Sequence, residues 1–195
     1  MKVDSKVVLL GSENIGKTCL VHRIFKGTFR GEYENTIGAA FCAKRFNVEG
    51  KTVTLGIWDT AGAEKFESIS EQYTRNSDAA IICYDVTDKP TFEKAKQWIV
   101  TMKRDQPKCK IYLTGTKHDL PNQIISDSVA SEYAYIEDCF HIRTSSKNNI
   151  NVTELFYKIA KDHLTRQHPV TLPRESINLT RQTMRNPNVV DCSKC

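Results

Sequence analysis

The apolar positions of the chain fall into short runs separated by polar, glycine-containing stretches, and their period changes along the sequence. Val7-Val8-Leu9-Leu10 is a continuous apolar run that stops at Gly11, and a helical period follows over residues 16–25. Residues 26–38 are polar and contain glycines, which predicts a loop. Residues 41–48 and 51–59 predict two strands joined at Glu49-Gly50, a natural tight turn. In the second, Val53, Leu55 and Ile57 alternate with Thr52, Thr54 and Gly56, the period of a half-covered strand. Residues 60–78 are mostly polar and show no clear period.

Residues 79–84 (Ala-Ala-Ile-Ile-Cys-Tyr) do not alternate, which suits a strand covered on both faces. Asp88 stands where it can cap the next helix, with Pro90 in its first turn and Phe92, Ala95, Ile99 and Met102 marking one face. Residues 111–113 predict another buried strand, 126–136 a weaker helix and 139–142 a short strand. In the last helix Asn151 is placed to cap, Glu154 completes a capping box, and Val152, Leu155, Phe156, Ile159 and Leu164 form the stripe. Strands alternating with helices predict an α/β fold with a mainly parallel sheet. After Leu164 the period ends; Pro169, Pro173 and Pro187, among Asn, Thr and Arg, predict a tail too poor in apolar surface to order by itself. No internal repeat is present.

Composition narrows the picture. The 195 residues are 39% hydrophobic and 26% charged, the size and balance of one soluble domain that can build its core without disulfides. No run approaches the ~20 apolar residues of a membrane span, and the first apolar run is too short for a signal peptide; a cytosolic chain is expected. The seven cysteines are an odd number. Cys19, Cys42, Cys83, Cys109 and Cys139 lie in or beside apolar runs, where a thiol behaves as a small hydrophobe, and only Cys192 and Cys195 sit in polar surroundings. Of the net charge of +5, residues 165–195 carry +3, so the remainder is nearly neutral, which argues against nucleic-acid binding.

Four segments carry chemistry. Gly11-Ser-Glu-Asn-Ile-Gly16-Lys17-Thr18 fits G-x-x-x-x-G-K-[ST] between a predicted strand and a predicted helix. Such a loop wraps a phosphate chain with backbone N–H groups and a helix N-terminus, while Lys17 reaches the terminal phosphates and the Thr18 hydroxyl binds Mg²⁺. Asp59-Thr-Ala-Gly62 follows a strand; alone it reads as a turn, but behind a phosphate loop its carboxylate suits a Mg²⁺ shell and the Gly62 N–H a terminal phosphate. Thr116-Lys117-His118-Asp119 ends another strand, and the Asp119 carboxylate can accept from N1–H and the 2-amino group of guanine. Thr144-Ser145-Ser146-Lys147 can close over the same base. Asp119 and the lack of a lid-sized insertion disfavour an ATP-using kinase. His22, His118, His141, His163 and His168 show no ligand spacing, and Cys192-Ser-Lys-Cys195 lacks the second pair that a zinc site requires.

The order of these segments over residues 5–164 resembles the Ras superfamily of small GTPases. Residues 37–41, 51–62 and 73–75, with the terminal cysteines, resemble its Rab branch. Residues 35–41, T-V-T-L-G-I-W-D-T-A-G and the T-K-x-D form are similar to a divergent, autophagy-associated member of that branch. The resemblance implies a P-loop small-GTPase fold: a six-stranded, mostly parallel sheet with one antiparallel strand, flanked by about five helices. It implies a GTP-binding domain over residues 1–164 and a mildly basic tail over 165–195. Nucleotide contacts are implied from Ser12, Glu13, Asn14, Ile15, Gly16, Lys17, Thr18, Cys19, Phe29, Tyr33, Thr36, Gly62, Thr116, Lys117, Asp119, Ser145, Ser146 and Lys147. Mg²⁺ falls to Thr18, Thr36 and, through water, Asp59. Residues 30–40 and 60–76 become the two switches, and Ile37, Phe41, Trp58 and Tyr73 the effector surface, although the three aromatics also suit plain packing. The implied partners are effectors, an exchange factor, a GTPase-activating protein and the prenylation machinery, acting on a monomer reversibly bound to the cytosolic face of endomembranes.

Three departures bear on one site. Ala63 stands where the family's Gln orients the attacking water, so no catalytic side chain is assigned. Glu13 replaces a small residue of the phosphate loop. Thr116 replaces the Asn that ties base loop to phosphate loop, and its shorter side chain is expected to weaken nucleotide affinity. Together they predict slow intrinsic hydrolysis of GTP in vesicle or autophagy-related traffic, or a nearly hydrolysis-dead scaffold that stays GTP-bound. In the tail, Cys192 and Cys195 can take prenyl groups, with Arg181, Arg185 and Lys194 attracting anionic lipid.

Overall fold

Each continuous apolar run becomes a strand whose two faces are both buried. The computed structural model describes residues 2–31, 36, 38–62 and 72–167. Six strands, β1 (Ser5–Leu10), β2 (Ala39–Val48), β3 (Lys51–Thr60), β4 (Ala79–Asp85), β5 (Lys110–Thr116) and β6 (Phe140–Arg143), form one sheet in the order β2-β3-β1-β4-β5-β6. All neighbours pair in parallel except β2 and β3, which are antiparallel. The helices are α1 (Lys17–Lys26), α2 (Lys89–Asp105), α3 (Asp127–Ile136) and α4 (Val152–Gln167), and residues 72–74 are also helical. This is the P-loop small-GTPase architecture expected.

The strand period sorts the core into two layers. Val7, Leu9, Ile81 and Cys83 face one side, covered by Leu20 and Ile24 of α1 and by Val152, Leu155, Phe156 and Ile159 of α4. Val8, Leu10, Ile82 and Tyr84 face the other, covered by Phe92, Ala95, Ile99 and Met102 of α2 and by Ala130 and Ala134 of α3. Each such aliphatic side chain taken fully out of water contributes about 1.5–3 kcal/mol, which locks the register of the central strands. Leu9 lies opposite Asp59 and Ile81, and Asp85 opposite Thr116. The carboxyl ends of the parallel strands therefore place Gly11, Asp59, Asp85 and Thr116 along one edge of the sheet, where an open α/β fold offers its crevice.

The hairpin turn is as expected: Glu49 (φ 52°) and Gly50 (φ 79°) are both left-handed, the two-residue connection that matches strand twist. One cap differs from expectation. Asp88 makes no side-chain capping bond: Pro90 removes one of the two N–H groups it could accept from, and the Thr91 hydroxyl donates to the Asp88 carbonyl (2.6 Å). Asn151 is left-handed (φ 56°), and its amide donates to the Arg143 carbonyl (2.8 Å) across the loop. The unforeseen cap is Ser126, whose hydroxyl accepts from the Val129 N–H.

Candidate functional site

The loop between β1 and α1 is shaped by residues that tolerate unusual backbone. Gly11 has φ 132°, and a methyl group there would lie 2.5 Å from the Cys83 carbonyl oxygen. Asn14 (φ 58°) and Gly16 (φ 94°) are left-handed, which turns successive N–H groups inward. Gly16 caps α1 without a side-chain bond, and no acidic residue occupies the first turn, so the helix N-terminus keeps unpaired N–H groups and its positive end. Glu13 and Asn14 lie toward solvent, Ser12 is half-buried, Ile15 is buried, and Cys19 is half-buried with its thiol pKa raised by burial.

Lys17 is the buried cation of this loop. It is 5% exposed, and its ammonium donates to the carbonyls of Gly11 (2.8 Å) and Ser12 (2.7 Å). Burial lowers its pKa, opposed by the charges of Asp59 and Glu13. An ammonium paired only with neutral oxygens inside a protein is poised for an anion. The Glu13 side chain is exposed, and its backbone is what meets the next segment. A methyl group on Gly62 would lie 2.5 Å from both Glu13 Cα and Lys17 Nζ, so only glycine permits this approach. The segment is held by Thr60, whose hydroxyl donates to the Leu9 carbonyl (2.5 Å), and by the Ala61 N–H on the Gly38 carbonyl (2.7 Å).

Thr18, Thr36 and Asp59 converge beside Lys17. The Thr18 and Thr36 hydroxyls are 2.9 Å apart. Asp59 is 2% exposed; burial raises its pKa, against the Thr18 hydrogen bond and the Lys17 charge. Its Oδ1 is buried with no hydrogen-bond partner. Two hydroxyls and a buried carboxylate with an unpaired oxygen form a hard, oxygen-only donor set, and these residues fit Mg²⁺.

The base-loop residues gather at the ends of β5 and β6. Thr116, 4% exposed, places its hydroxyl 2.6 Å from the Ile15 carbonyl and 2.9 Å from that of Tyr84. The tie to the phosphate loop is therefore made by a hydroxyl. Asp119 accepts from the Ser145 hydroxyl (2.6 Å), which itself accepts from the Asn148 N–H (3.0 Å). The His118 N–H donates to the Thr144 carbonyl (3.1 Å), joining the two base-loop segments, and Ser145 forms a two-way backbone bridge with Ile150. Ser146 is half-exposed, Lys147 exposed and Phe29 half-buried.

Two supporting residues escaped the sequence reading. Arg23 of α1 donates to the carbonyls of Ser146 (2.6 Å), Lys147 (2.8 Å) and Gly27 (2.6 Å). Its acceptors are backbone atoms up to 124 residues away, which no side-chain pattern encodes. Asp85 pairs with Lys117 at 2.6 Å; its only signal is a lone carboxylate ending an apolar run. Of the aromatic candidates, Phe41 is 55% exposed and lies across the β2–β3 pair from Trp58, ring centroids 4.6 Å apart. Trp58 and Tyr73 are half-buried against the second core layer, and the Lys6 ammonium sits 5.0 Å from the Trp58 ring. Tyr33, Ile37, Ala63, Cys192 and Cys195 lie outside the described residues.

Comparison with known proteins bears on the same span. A family model described as the Ras family matches residues 6–165. The chain is 38% identical over 193 residues to the Ras-related protein Rab-24 of Dictyostelium discoideum, covering 94% of this chain and 95% of that protein. It is 42% identical over 169 residues to the Ras-related protein Rab-21 of Geodia cydonium, covering 86% and 74%. It is 39% identical over 181 residues to the Ras-related protein RHN1 of Nicotiana plumbaginifolia, covering 92% and 90%.

Proposed function

Because the chain belongs to the Ras family, in its Rab branch and near Rab-24, we propose that it is a guanine-nucleotide switch of vesicle or autophagy-related membrane traffic whose intrinsic hydrolysis of GTP is slow. Family membership makes the protein a small GTPase, hence a GTP hydrolase. The observation that carries the nucleotide reading is Lys17: a buried ammonium bonded only to carbonyls, at a helix start with no side-chain cap and no acidic residue in its first turn. That arrangement suits a phosphate chain. In this reading the N–H groups of residues 12–19 and Gly62 take the phosphates, Tyr33 covers them, and Phe29, Thr116, Lys117, Asp119, Ser145, Ser146 and Lys147 take the guanine.

Thr18, Thr36 and Asp59 would hold Mg²⁺, which supplies charge neutralisation between the phosphates when bound. The slow rate rests on Ala63, whose methyl group can neither donate to nor accept from a water, and on the carboxylate that Glu13 adds to the loop. Residues 1–164 act as the GTP-binding domain and 165–195 as the tail, whose Cys192 and Cys195 suit prenylation and whose cations favour an anionic membrane. Ile37, Phe41, Trp58 and Tyr73 are assigned to effector contact; among these the exposed Phe41 ring is the most accessible described group. The autophagy assignment rests on residues 35–41, residues 52–62 and the T-K-x-D form of residues 116–119, and exchange and GTPase-activating factors complete the cycle. A second reading, a GTP-bound scaffold that hardly turns over, is favoured by Ala63 together with Glu13.

Single-turnover hydrolysis by the purified full chain tests the rate, alongside chromatography of the nucleotide it carries. We expect mostly GTP in the wild type and at least a ~10-fold faster turnover in Ala63→Gln. A wild-type rate equal to that of Ala63→Gln would overturn the slow-hydrolysis reading.

A further inference from the structure

The base loop contains a backbone conformation that its own motif does not explain. Lys117 has φ 58°, a left-handed geometry that a lysine adopts only when its surroundings hold it there. Part of the hold is local: the Leu120 N–H closes a turn on the Lys117 carbonyl (3.0 Å). The rest comes from the neighbouring strand. The Lys117 ammonium lies 2.6 Å from Asp85 Oδ2, and the register Asp85↔Thr116 puts the two residues side by side at the sheet edge.

Asp85 is itself held unusually firmly. It is 5% exposed. Its Oδ1 accepts from the Thr87 N–H (2.8 Å) and the Thr87 hydroxyl (2.7 Å), and its own N–H donates to the Thr91 hydroxyl (3.0 Å). Burial pushes the carboxyl pKa up, but the bonds from Lys117 and Thr87 outweigh it, and the net shift is downward. At neutral pH a fixed carboxylate therefore stands behind the lysine. One Lys117 proton is committed to it, which leaves two for any ligand in front and fixes the direction of the stem. The need for such a brace is plain at Thr116. Its hydroxyl has one proton for two carbonyl neighbours, Ile15 and Tyr84, so it binds one of them at a time.

We propose that Asp85 is a positioning residue for guanine nucleotide: by pinning Lys117 from behind, it holds residues 117–119 in the receiving conformation and sets how long the nucleotide stays bound. The inference rests on the nucleotide reading given above. It does not make Asp85 a contact of the nucleotide; the carboxylate acts through Lys117 alone.

The test is release of a fluorescent GDP analogue from the full chain with Mg²⁺, chased with excess GDP and followed by stopped flow. Asp85→Asn keeps an oxygen for Thr87 but removes the charge, and release should quicken about tenfold, equivalent to ~1.4 kcal/mol. On a Lys117→Met background the same change should add nothing, since a residue acting through another is silent once that other is gone. A purely structural role for Asp85 would instead quicken release equally on both backgrounds, and that result overturns the proposal. Should Asp85→Asn not fold, Thr87→Val removes one of the bonds on Asp85 and should quicken release about threefold by itself. Wild-type release rates in Asp85→Asn or in Thr87→Val would likewise overturn it. A wild-type chain that takes up no nucleotide would overturn the guanine-nucleotide reading, and this inference with it.

Discussion

At Thr116 a single hydroxyl spans two loops that are 101 residues apart in sequence, donating toward the Ile15 carbonyl from a fully enclosed position. Valine has the same shape without the proton. Thr116→Val should leave a buried carbonyl short of a donor and destabilise the chain by about 1–3 kcal/mol, whereas Thr116→Ser should stay close to wild type. Denaturant unfolding of the full chain checks this, and equal midpoints for the two variants would show that the bond is not what holds the loops together. The residues that the sequence disclosed best are of another kind. Gly11, Gly16, Lys17, Thr18 and Gly62 were legible because their motifs specify backbone geometry, and the structure brings all five within one small volume. At Thr116 the side-chain length is visible in the sequence, while the 2.6 Å separation between its hydroxyl and the Ile15 carbonyl is not.

Elements were legible where burial is two-sided and less so where it is not. The run over 79–84 gave its strand nearly to the residue, since every position of Ala79–Asp85 is buried. The strand pattern of β2 begins two residues late, because Ala39 and Ala40 carry no strand signal; they extend the strand by pairing with Thr60 and Asp59. Capping was least legible, since Asp88 has the right side chain for a bond that its surroundings do not supply. The contact between α1 and the last loop belongs to this scale. Arg23 reaches Ser146, Lys147 and Gly27 with separate nitrogens, a fork that a single ammonium cannot reproduce. Arg23→Lys should therefore behave almost like Arg23→Ala, quickening nucleotide release about 3–10-fold while the helix content by circular dichroism stays the same. Full retention of the wild-type release rate by Arg23→Lys would show that charge alone, not the fork, holds the loop.

Across the whole molecule the sheet buries its two apolar layers well and leaves its strains at one edge. There the fold encloses an ammonium at Lys17 that meets only carbonyls, and a carboxylate at Asp59 with one oxygen unpaired. Both arrangements cost free energy in the nucleotide-free protein, because the hydration that Lys17 and Asp59 lose on burial outweighs their mutual attraction. A phosphate chain with Mg²⁺ supplies the missing partner to each, so ligand and fold should be strongly linked. At a thousandfold excess of nucleotide over Kd the linkage is worth about 4 kcal/mol. For a chain of this size each kcal/mol moves the melting midpoint by about 2–4 °C. Adding EDTA to the GDP-loaded protein and removing the released nucleotide should then lower the midpoint by about 8–16 °C, and restoring GDP with Mg²⁺ should recover it. Asp59→Asn should shrink the Mg²⁺-dependent part of that shift, because a neutral amide is a weaker ligand for a hard cation and carries no charge to be desolvated on burial. A midpoint indifferent to EDTA would mean that the buried Lys17 and Asp59 are balanced within the protein itself, and that this edge of the sheet is not where a metal–nucleotide pair completes the fold.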